Sequence, residues 1–368
     1  MIPTESALRF VGRATWEALS GLPVSTVVWD DVPEVPHVRI GQEADLVVVA
    51  PATADLLARA ASGRADDLLT STLLTTRAPV VFAPAMHTEM WEHPATVANV
   101  ATLRSRHAIV IDPASGRLTG PDSGPGRLPE AESLMSVCAA LLDRGPGVPD
   151  LIGQRVLISA GGTLEPLDPV RFLGNRSSGR QALALAAAAV ARGAQVHIIA
   201  ANVAVPDPAG ATIERVGTAG EMRDAVVSAA KNADVVVMAA AVADFRPKHL
   251  AAMKIKKDDA GGVPELELER TPDILAELGH TADRPFLVGF AAETAGTDDQ
   301  LAELGARKLA AKGADLVVAN EVGEGKGFES RSNAAIIVGP AGVIRRVDFT
   351  TKEGVANAVW DVVADRLT

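Results

Sequence analysis

Tyrosine is absent from the 368 residues, cysteine occurs once, and aromatic residues amount to 3%. The missing tyrosine excludes nothing by itself. The single cysteine, Cys138, excludes an intramolecular disulfide framework and any metal site built on clustered thiolates. It falls in the helical pattern AESLMSVCAALLD and reads as a buried core thiol rather than a nucleophile. Long apolar runs are missing too: the longest, ALALAAAAVA, is about half the length of a membrane span. No basic segment followed by an apolar one stands at the N-terminus, so no signal peptide and a cytoplasmic protein are expected. Basic excess is also lacking. A net charge of −11 disfavours a nucleic-acid partner, although it leaves local basic patches open.

What is present is a core. Hydrophobic residues make up 48% and charged ones 22%, enough for two globular domains of ordinary size. In the first half PVSTVVWD, ADLVVVAPA, APVVFAPA and HAIVIDP are short β-type runs. Helical segments lie between them, around residues 52–76 and 94–105, so the pattern predicts βαβ units and a parallel sheet. A helix and the Gly- and Pro-rich stretch DRGPGVPDLIGQ, read as a linker, lead to a second series. There RVLISA, AQVHIIA, ADVVVMAAAVAD, FLVGFAA, ADLVVAN and AAIIVG predict another mostly parallel sheet. QALALAAAAVARG is a strong helix former, GVIRRVDFT pairs antiparallel with SRSNAAIIVGP, and TKEGVANAVWDVVADRL closes the chain as a helix. The fold class is therefore α/β with two domains, divided at 1–145 and 146–368.

Residues 156–180, VLISAGGTLEPLDPVRFLGNRSSGR, run from a strand into a cluster of small residues where a helix should begin. Alone, AGGT is an ordinary strand-to-helix turn or a phosphate loop. Arg171 adds a fork for an anion, Asn175 a donor and acceptor, and Ser177, Ser178 and Gly179 a small N-cap region with backbone N–H groups. A second constellation is AVADFRPKHLAAMKIKKDD, with Asp244 after an apolar strand and Lys254, Lys256 and Lys257 close behind. Such a lysine cluster is a solvated face or a partner for a triphosphate with its metal. Glu293 and Asn320 follow two further strand ends. Neither GxxxxGK[ST] nor GxGxxG occurs, which weakens a dinucleotide-dependent dehydrogenase. Spacing alone yields a phosphate-rich ligand in an unusual α/β site.

AGGTLEPLDPVRFLGNRSSG, AVADFRP with KIKK, and GFAAET with LVVAN together resemble the ligase signature of a known family. These are the bifunctional coenzyme A biosynthesis proteins, in which phosphopantothenoylcysteine decarboxylase is joined to phosphopantothenate-cysteine ligase. The resemblance covers nearly the whole chain and implies a flavoprotein-like parallel-sheet domain followed by a Rossmann-like ligase domain. It implies that 4′-phosphopantothenate is activated by CTP with magnesium as an acyl-cytidylate, which L-cysteine then opens to the amide. Asn175 would stabilise that intermediate and Lys254 would assist its formation. The nucleotide would meet Met238, Ala239, Ala240, Asp244 and Lys254. It would also meet Pro272, Asp273, Ile274 and Leu275, then Phe290, Lys308 and Lys312. Protein ligands for the magnesium are not identifiable. SSGRQA replaces the usual SSGKMG, which leaves the positive charge in place.

For the first half the resemblance implies FMN and conversion of phosphopantothenoylcysteine to 4′-phosphopantetheine. The substrate thiol is oxidised to a thioaldehyde, the neighbouring carboxylate leaves, and hydride and a proton return. His37 would assist the oxidation. Ser6 lies near the flavin phosphate, and Pro51, Ala52, Thr53, Pro84, Ala85 and Met86 near the flavin. Asp55 and His87 stand where the family has Asn, and Thr119 occupies the flap position that often carries a proton-donating cysteine. A threonine hydroxyl is a far weaker acid than a thiol. The family's opening strand and glycine-rich turn are missing, and a start assigned too late is favoured over a truncated protein. Homo-oligomers are implied, trimer-based for the first domain and dimeric for the second. The alternatives are a ligase-only enzyme with an inactive N-terminal scaffold and a non-catalytic nucleotide-binding regulatory protein.

Overall fold

The computed structural model describes every residue except 30–31, 120–121, 146, 257–264, 323–331 and 368. It divides into two compact units, Met1–Leu134 with Gly145–Pro149, and Met135–Arg144 with Asp150–Thr368.

The first unit contains α1 (Arg13–Ser20), α2 (Pro36–Glu43), β1 (Val47–Ala52), α3 (Ala54–Ser62), α4 (Leu68–Thr75) and β2 (Val80–Pro84). It continues through α5 (Thr88–Trp91), α6 (Pro94–Ser105), β3 (Ile109–Val110), β4 (Ala114–Arg117) and β5 (Ser123–Arg127) into α7 (Ala131–Arg144). β1, β2 and β3 form a parallel sheet in that order, while β4 and β5 make an antiparallel hairpin. Leu57, Phe82, Val100 and Leu103 pack with Val49 and Val110 as its core. The run expected as the first strand, PVSTVVWD, forms none over its described residues. Strand propensity needs a neighbouring edge to satisfy its N–H and C=O groups, and no described strand pairs with it. Instead Val24 is buried, Trp29 is 78% exposed, and the Thr26 carbonyl accepts the N–H of Leu68 at the head of α4 (3.2 Å). HAIVIDP is likewise reduced to the two residues of β3.

The second unit proceeds through β6 (Arg155–Gly161), β7 (Leu164–Pro166), β8 (Phe172–Gly174), α8 (Arg180–Ala191), β9 (Gln195–Ala201) and β10 (Ala211–Val216). Next come α9 (Ala219–Ala230), β11 (Val235–Met238), β12 (Phe245–Pro247), β13 (Leu268–Arg270), α10 (Ile274–Gly279) and β14 (Phe286–Glu293). α11 (Asp298–Lys312), β15 (Leu316–Glu321), β16 (Ser332–Gly339), β17 (Gly342–Thr351) and α12 (Lys352–Leu367) complete it. Its sheet has the order β10-β9-β6-β11-β14-β15-β16-β17. Strands are parallel from β10 to β15, and the β16–β17 hairpin closes the edge antiparallel, as expected. The chain winds outward from β6 to β10, then returns to the middle at β11 and winds the other way. The crevice where that direction reverses, beyond the strands' C-terminal ends, is where open α/β sheets bind ligands.

α8 is alanine-rich because it is enclosed: every residue from Ala182 to Ala191 is buried, and close packing favours small side chains where a helix approaches sheet and helix together. α12 packs on it, with Trp360 fully buried and its Nε1–H donating to the Leu185 carbonyl (2.8 Å). At the end of α8 the buried Arg192 grips Asp150 through two donors (2.7 Å each), Asp361 (2.9 Å) and the Asn357 carbonyl (3.1 Å). Burial alone raises the Asp150 pKa, but the Arg192 fork outweighs it and leaves the carboxyl below its usual value. A depressed folded-state pKa stabilises above the unfolded value, about 3.9, and is lost as pH falls through the folded one. Arg192→Met should lower stability by about 2–3 kcal/mol, discounted because both carboxylates are partly exposed. Urea midpoints followed from pH 6 to pH 3 should fall less steeply in the variant. Parallel curves would show that the clamp contributes nothing to acid sensitivity.

Candidate active site

At the end of β6 the chain turns through Gly161, Gly162 and Thr163. Gly161 has φ +81°, and a Cβ there would collide with the Ala201 carbonyl oxygen, so only glycine fits. The turn is laced to the segment after β11: Ala241 N–H donates to the Gly161 carbonyl (2.8 Å) and Thr163 N–H to that of Ala241 (3.2 Å). Ala240 N–H reaches Ser159 Oγ (3.1 Å) and Ala243 N–H reaches Thr163 Oγ1 (2.9 Å). Asn175 Nδ2 donates to the Val242 carbonyl (3.2 Å), tying the small-residue cluster to the same segment.

Two cavities open there. The larger, about 470 Å³, is lined by Met238, Ala240, Asp244, Pro272, Asp273, Ile274 and Leu275, with Phe290, Lys308 and Lys312. The smaller, about 330 Å³, brings Asn175, Ser177, Ser178 and Ala239 together with Asn320. Ala240, Val242, Asp244, Phe290 and Lys308 line both, so the cavities meet at Asp244 and Lys308. Every residue expected to meet the nucleotide thus lines a cavity, with one exception. Lys254 is exposed and lines neither, Lys256 is exposed as well, and Lys257 lies outside the described residues.

Lys308 is half-buried, and desolvation lowers its ammonium pKa even though Glu293, Asp244 and Asp273 oppose the shift. Lys312 pairs with Asp273, the N-cap of α10. Burial raises the Asp273 pKa, but Lys312 and the Ala276 N–H prevail and lower it. Arg171 turns its fork to a carboxylate of this chain. Its Nε and Nη2 hold Asp168 (3.0 and 2.6 Å) and its Nη2 also reaches the Ile255 carbonyl (2.8 Å). Those bonds, with the N–H groups of Val170, Arg171 and Ile255, hold the Asp168 carboxyl far below its ordinary value. The pair thereby anchors Ile255, the neighbour of Lys254.

Sequence reasoning missed Lys352, Asn333 and Gln181, which line the smaller cavity with Arg180. Lys352 is 5% exposed at the head of α12, and burial lowers its pKa. A lysine opening the apolar run VANAVWDVVA was the available signal. Gln181 Nε2 donates to the Lys352 carbonyl (3.1 Å), while its Oε1 is buried without a protein partner.

In the first unit, Ala52 of β1 pairs with Pro84 of β2, and Ala85 N–H donates to the Ala52 carbonyl (3.2 Å). Pro51–Thr53 and Pro84–Met86 are thereby set side by side at one sheet edge. Thr53 Oγ1 caps α3 by accepting from Leu56 N–H (3.2 Å). The β4–β5 hairpin docks on the same edge: Met86 N–H donates to the Gly126 carbonyl (3.0 Å) and Thr88 Oγ1 to that of Pro125 (2.9 Å). Thr119 sits in that hairpin's turn, whose Gly120 and Pro121 lie outside the described residues. His37 is on α2, and its Nδ1 is buried without a partner. Ser6 precedes a short helical turn and makes no side-chain cap. Asp55 is an exposed partner of Arg59 (3.8 Å), and His87 is the N-cap of α5. Among the described residues no three His, Cys, Asp or Glu side chains gather as a metal site, and no helix is long and apolar enough to cross a membrane.

Residues 1–143 match the Flavoprotein family model, and residues 151–367 match that of the DNA/pantothenate metabolism flavoprotein C-terminal domain. A coenzyme A biosynthesis bifunctional protein CoaBC from Mycolicibacterium smegmatis is 55% identical over 99% of this chain and 90% of its own. The chain belongs to the CoaBC family. A CoaBC of Bacillus subtilis is 41% identical, again over 99% of this chain and 89% of the relative. The crystal structure of a CoaBC C-terminal domain aligns with a TM-score of 0.50 and 36% identity, covering 60% of this chain and 98% of that one. The protein is accordingly a bifunctional enzyme of coenzyme A biosynthesis, a phosphopantothenoylcysteine decarboxylase and phosphopantothenate-cysteine ligase. That membership removes the non-catalytic regulatory alternative.

Proposed function

We propose that the C-terminal unit is a CTP-dependent ligase whose nucleoside occupies the larger cavity and whose reacting groups lie in the smaller. The meeting of the two cavities at Asp244 and Lys308 carries this reading. It puts a cation where phosphate charge must pass from one cavity to the other. A carboxylate oxygen of 4′-phosphopantothenate attacks the α-phosphorus of CTP, the Pα–O bond to the β-phosphate breaks, and pyrophosphate leaves. The cysteine amine then attacks the acyl carbon, loses a proton and displaces CMP. Asn175, clamped to Val242, keeps the acyl-cytidylate oriented during this second step. Magnesium would neutralise charge on the nucleotide's phosphates. Lys254 lines neither cavity, so its part in the first step rests on the KIKK motif alone.

The N-terminal unit is read as an FMN site, and its residues fit the group. The edge formed by Pro51–Thr53 and Pro84–Met86 offers an approach to the ring system, Ser6 a free hydroxyl for the phosphate, and His37 Nδ1 a buried polar atom lacking a partner. FMN supplies the redox chemistry when bound. His37 moves the proton at the substrate thiol, and the Thr119 hydroxyl stands at the proton-donor position. The exposed Val170 and Phe172, two residues apart at the head of β8, support a homo-oligomer paired through the ligase unit. A single-chain mass by light scattering would remove that part of the reading.

The test is formation of 4′-phosphopantothenoylcysteine from 4′-phosphopantothenate, cysteine, CTP and magnesium, with the visible flavin spectrum recorded on the same sample. Asn175→Ala should cut product formation by about a hundredfold, the scale for losing one group that steadies transition-state charge. Undiminished activity would remove Asn175 from the reaction, and equal rates with ATP would remove the nucleotide preference.

A further inference from the structure

Asn202, just beyond β9, has φ +49°, the left-handed conformation that asparagine tolerates better than most residues. That conformation aims its side chain back at the ligase turn. Nδ2 donates to the Gly162 carbonyl at 2.9 Å and lies 3.4 Å from the Gly217 carbonyl at the end of β10. Gly162 is held from its other side as well, because its N–H donates to the Ala201 carbonyl (2.9 Å). Both polar groups of this one peptide position are therefore fixed by two consecutive residues, Ala201 and Asn202. The Gly217 carbonyl also receives the Leu164 N–H (3.0 Å), so the whole Gly162–Leu164 turn is stitched to the β9–β10 side of the sheet.

The held turn lies directly beneath the reacting cavity. A Cβ on Gly162 would be 3.1 Å from the Asn175 carbonyl oxygen and 3.4 Å from Ser177 Cβ. Thr163, next in the chain, receives the Ala243 N–H, while Asn175 Nδ2 bonds the adjacent Val242 carbonyl. A displacement of Gly162 thus reaches Asn175 from below and through its anchor.

We infer that Asn202 is a positioning residue for ligation, setting the height of the Gly162 turn on which Asn175 rests. This deepens the proposed function and rests on its assignment of Asn175. The turn itself lines neither cavity. Its nearest neighbours are Asn175 and Ser177 of the smaller one, and it reaches the larger only through the Ala243 backbone, so the main effect falls on turnover rather than on nucleotide affinity.

Two substitutions separate positioning from backbone strain. Asn202→Gly keeps the left-handed conformation and deletes the donor. Asn202→Asp keeps size and conformation but sets a carboxylate oxygen against two carbonyl oxygens. Both are made in the full chain beside Asn175→Ala, and kcat and KM for CTP are measured per folded enzyme, with thermal midpoints recorded. The expected result is kcat lowered about tenfold in the Asp variant and less in the Gly variant, with KM for CTP within about twofold, as small misplacements near reacting groups produce. Unchanged kcat in both variants, with Asn175→Ala inactive, overturns the inference alone. A lowered midpoint accompanied by unchanged kcat assigns Asn202 a merely structural role and overturns it too. If Asn175→Ala is fully active, the reading of Asn175 fails first and takes this inference with it.

Discussion

Lys308→Met is expected to lower kcat/KM for CTP by about a hundredfold in the ligation reaction, through loss of one half-buried, preorganised cation. Lys308 is half-buried where the two cavities join, and desolvation already disfavours its charged form. An arriving polyphosphate reverses that penalty, because an adjacent anion favours the ammonium. Methionine preserves much of the stem's apolar packing, so the loss is of charge alone. Lys308→Arg should recover only part of the activity, since its planar fork cannot imitate a compact ammonium. Steady-state kinetics at varied CTP decide the matter. A variant with unaltered kcat/KM would mean that phosphate charge crosses elsewhere.

The second large effect is on stability. Gly161→Ala should cost about 3 kcal/mol, combining a strained positive φ with a backbone collision that the core resists. The colliding atom is the carbonyl oxygen of the fully buried Ala201, at the end of the buried run Ile198–Ala201, so neither side can yield cheaply. Ligation should fall with stability because the same turn carries the bonds to Ala241. Urea unfolding followed by circular dichroism reads the shift directly, and a midpoint unchanged from the parent would show that the turn relaxes without penalty.

The second sheet was legible because its central strands are buried on both faces. VLISA, VHIIA and VVVM are mostly apolar, interrupted only by Ser159 and His197, as a parallel interior demands. Edge and connecting elements were not legible by that signal. β10 reads ATIERV, with alternate residues exposed, and carries no such run. PVSTVVWD shows the opposite failure: a β-rich run becomes a strand only if an edge exists to pair with it. The site divided along similar lines. Met238 and Phe290 lie on central strands β11 and β14 and Asp244 follows the first of them, so motif and topology place them together, whereas Lys352 is brought to the crevice by the closing helix. Arg171 marks the limit of residue type as a guide. A guanidinium near a phosphate motif is equally a strut, and only the position of Asp168 three residues earlier distinguishes the two.

The path of α7 has a consequence for anyone wishing to separate the two activities at the level of the gene. Its residues from Met135 to Arg144 belong to the second compact unit. There Asn357, 6% exposed, donates its side-chain amide to the Ala140 carbonyl (3.1 Å) and to Asp143 (2.9 Å). A reading frame opened at the Gly-Pro stretch after this helix would produce a ligase whose α12 faces water where a neighbour used to be. Water would satisfy the Asn357 amide, so the cost is apolar: the surface against which Val137, Ala140 and Leu141 are buried would be laid open, and the excised product would associate through that scar. The better cut lies upstream, before the helix begins.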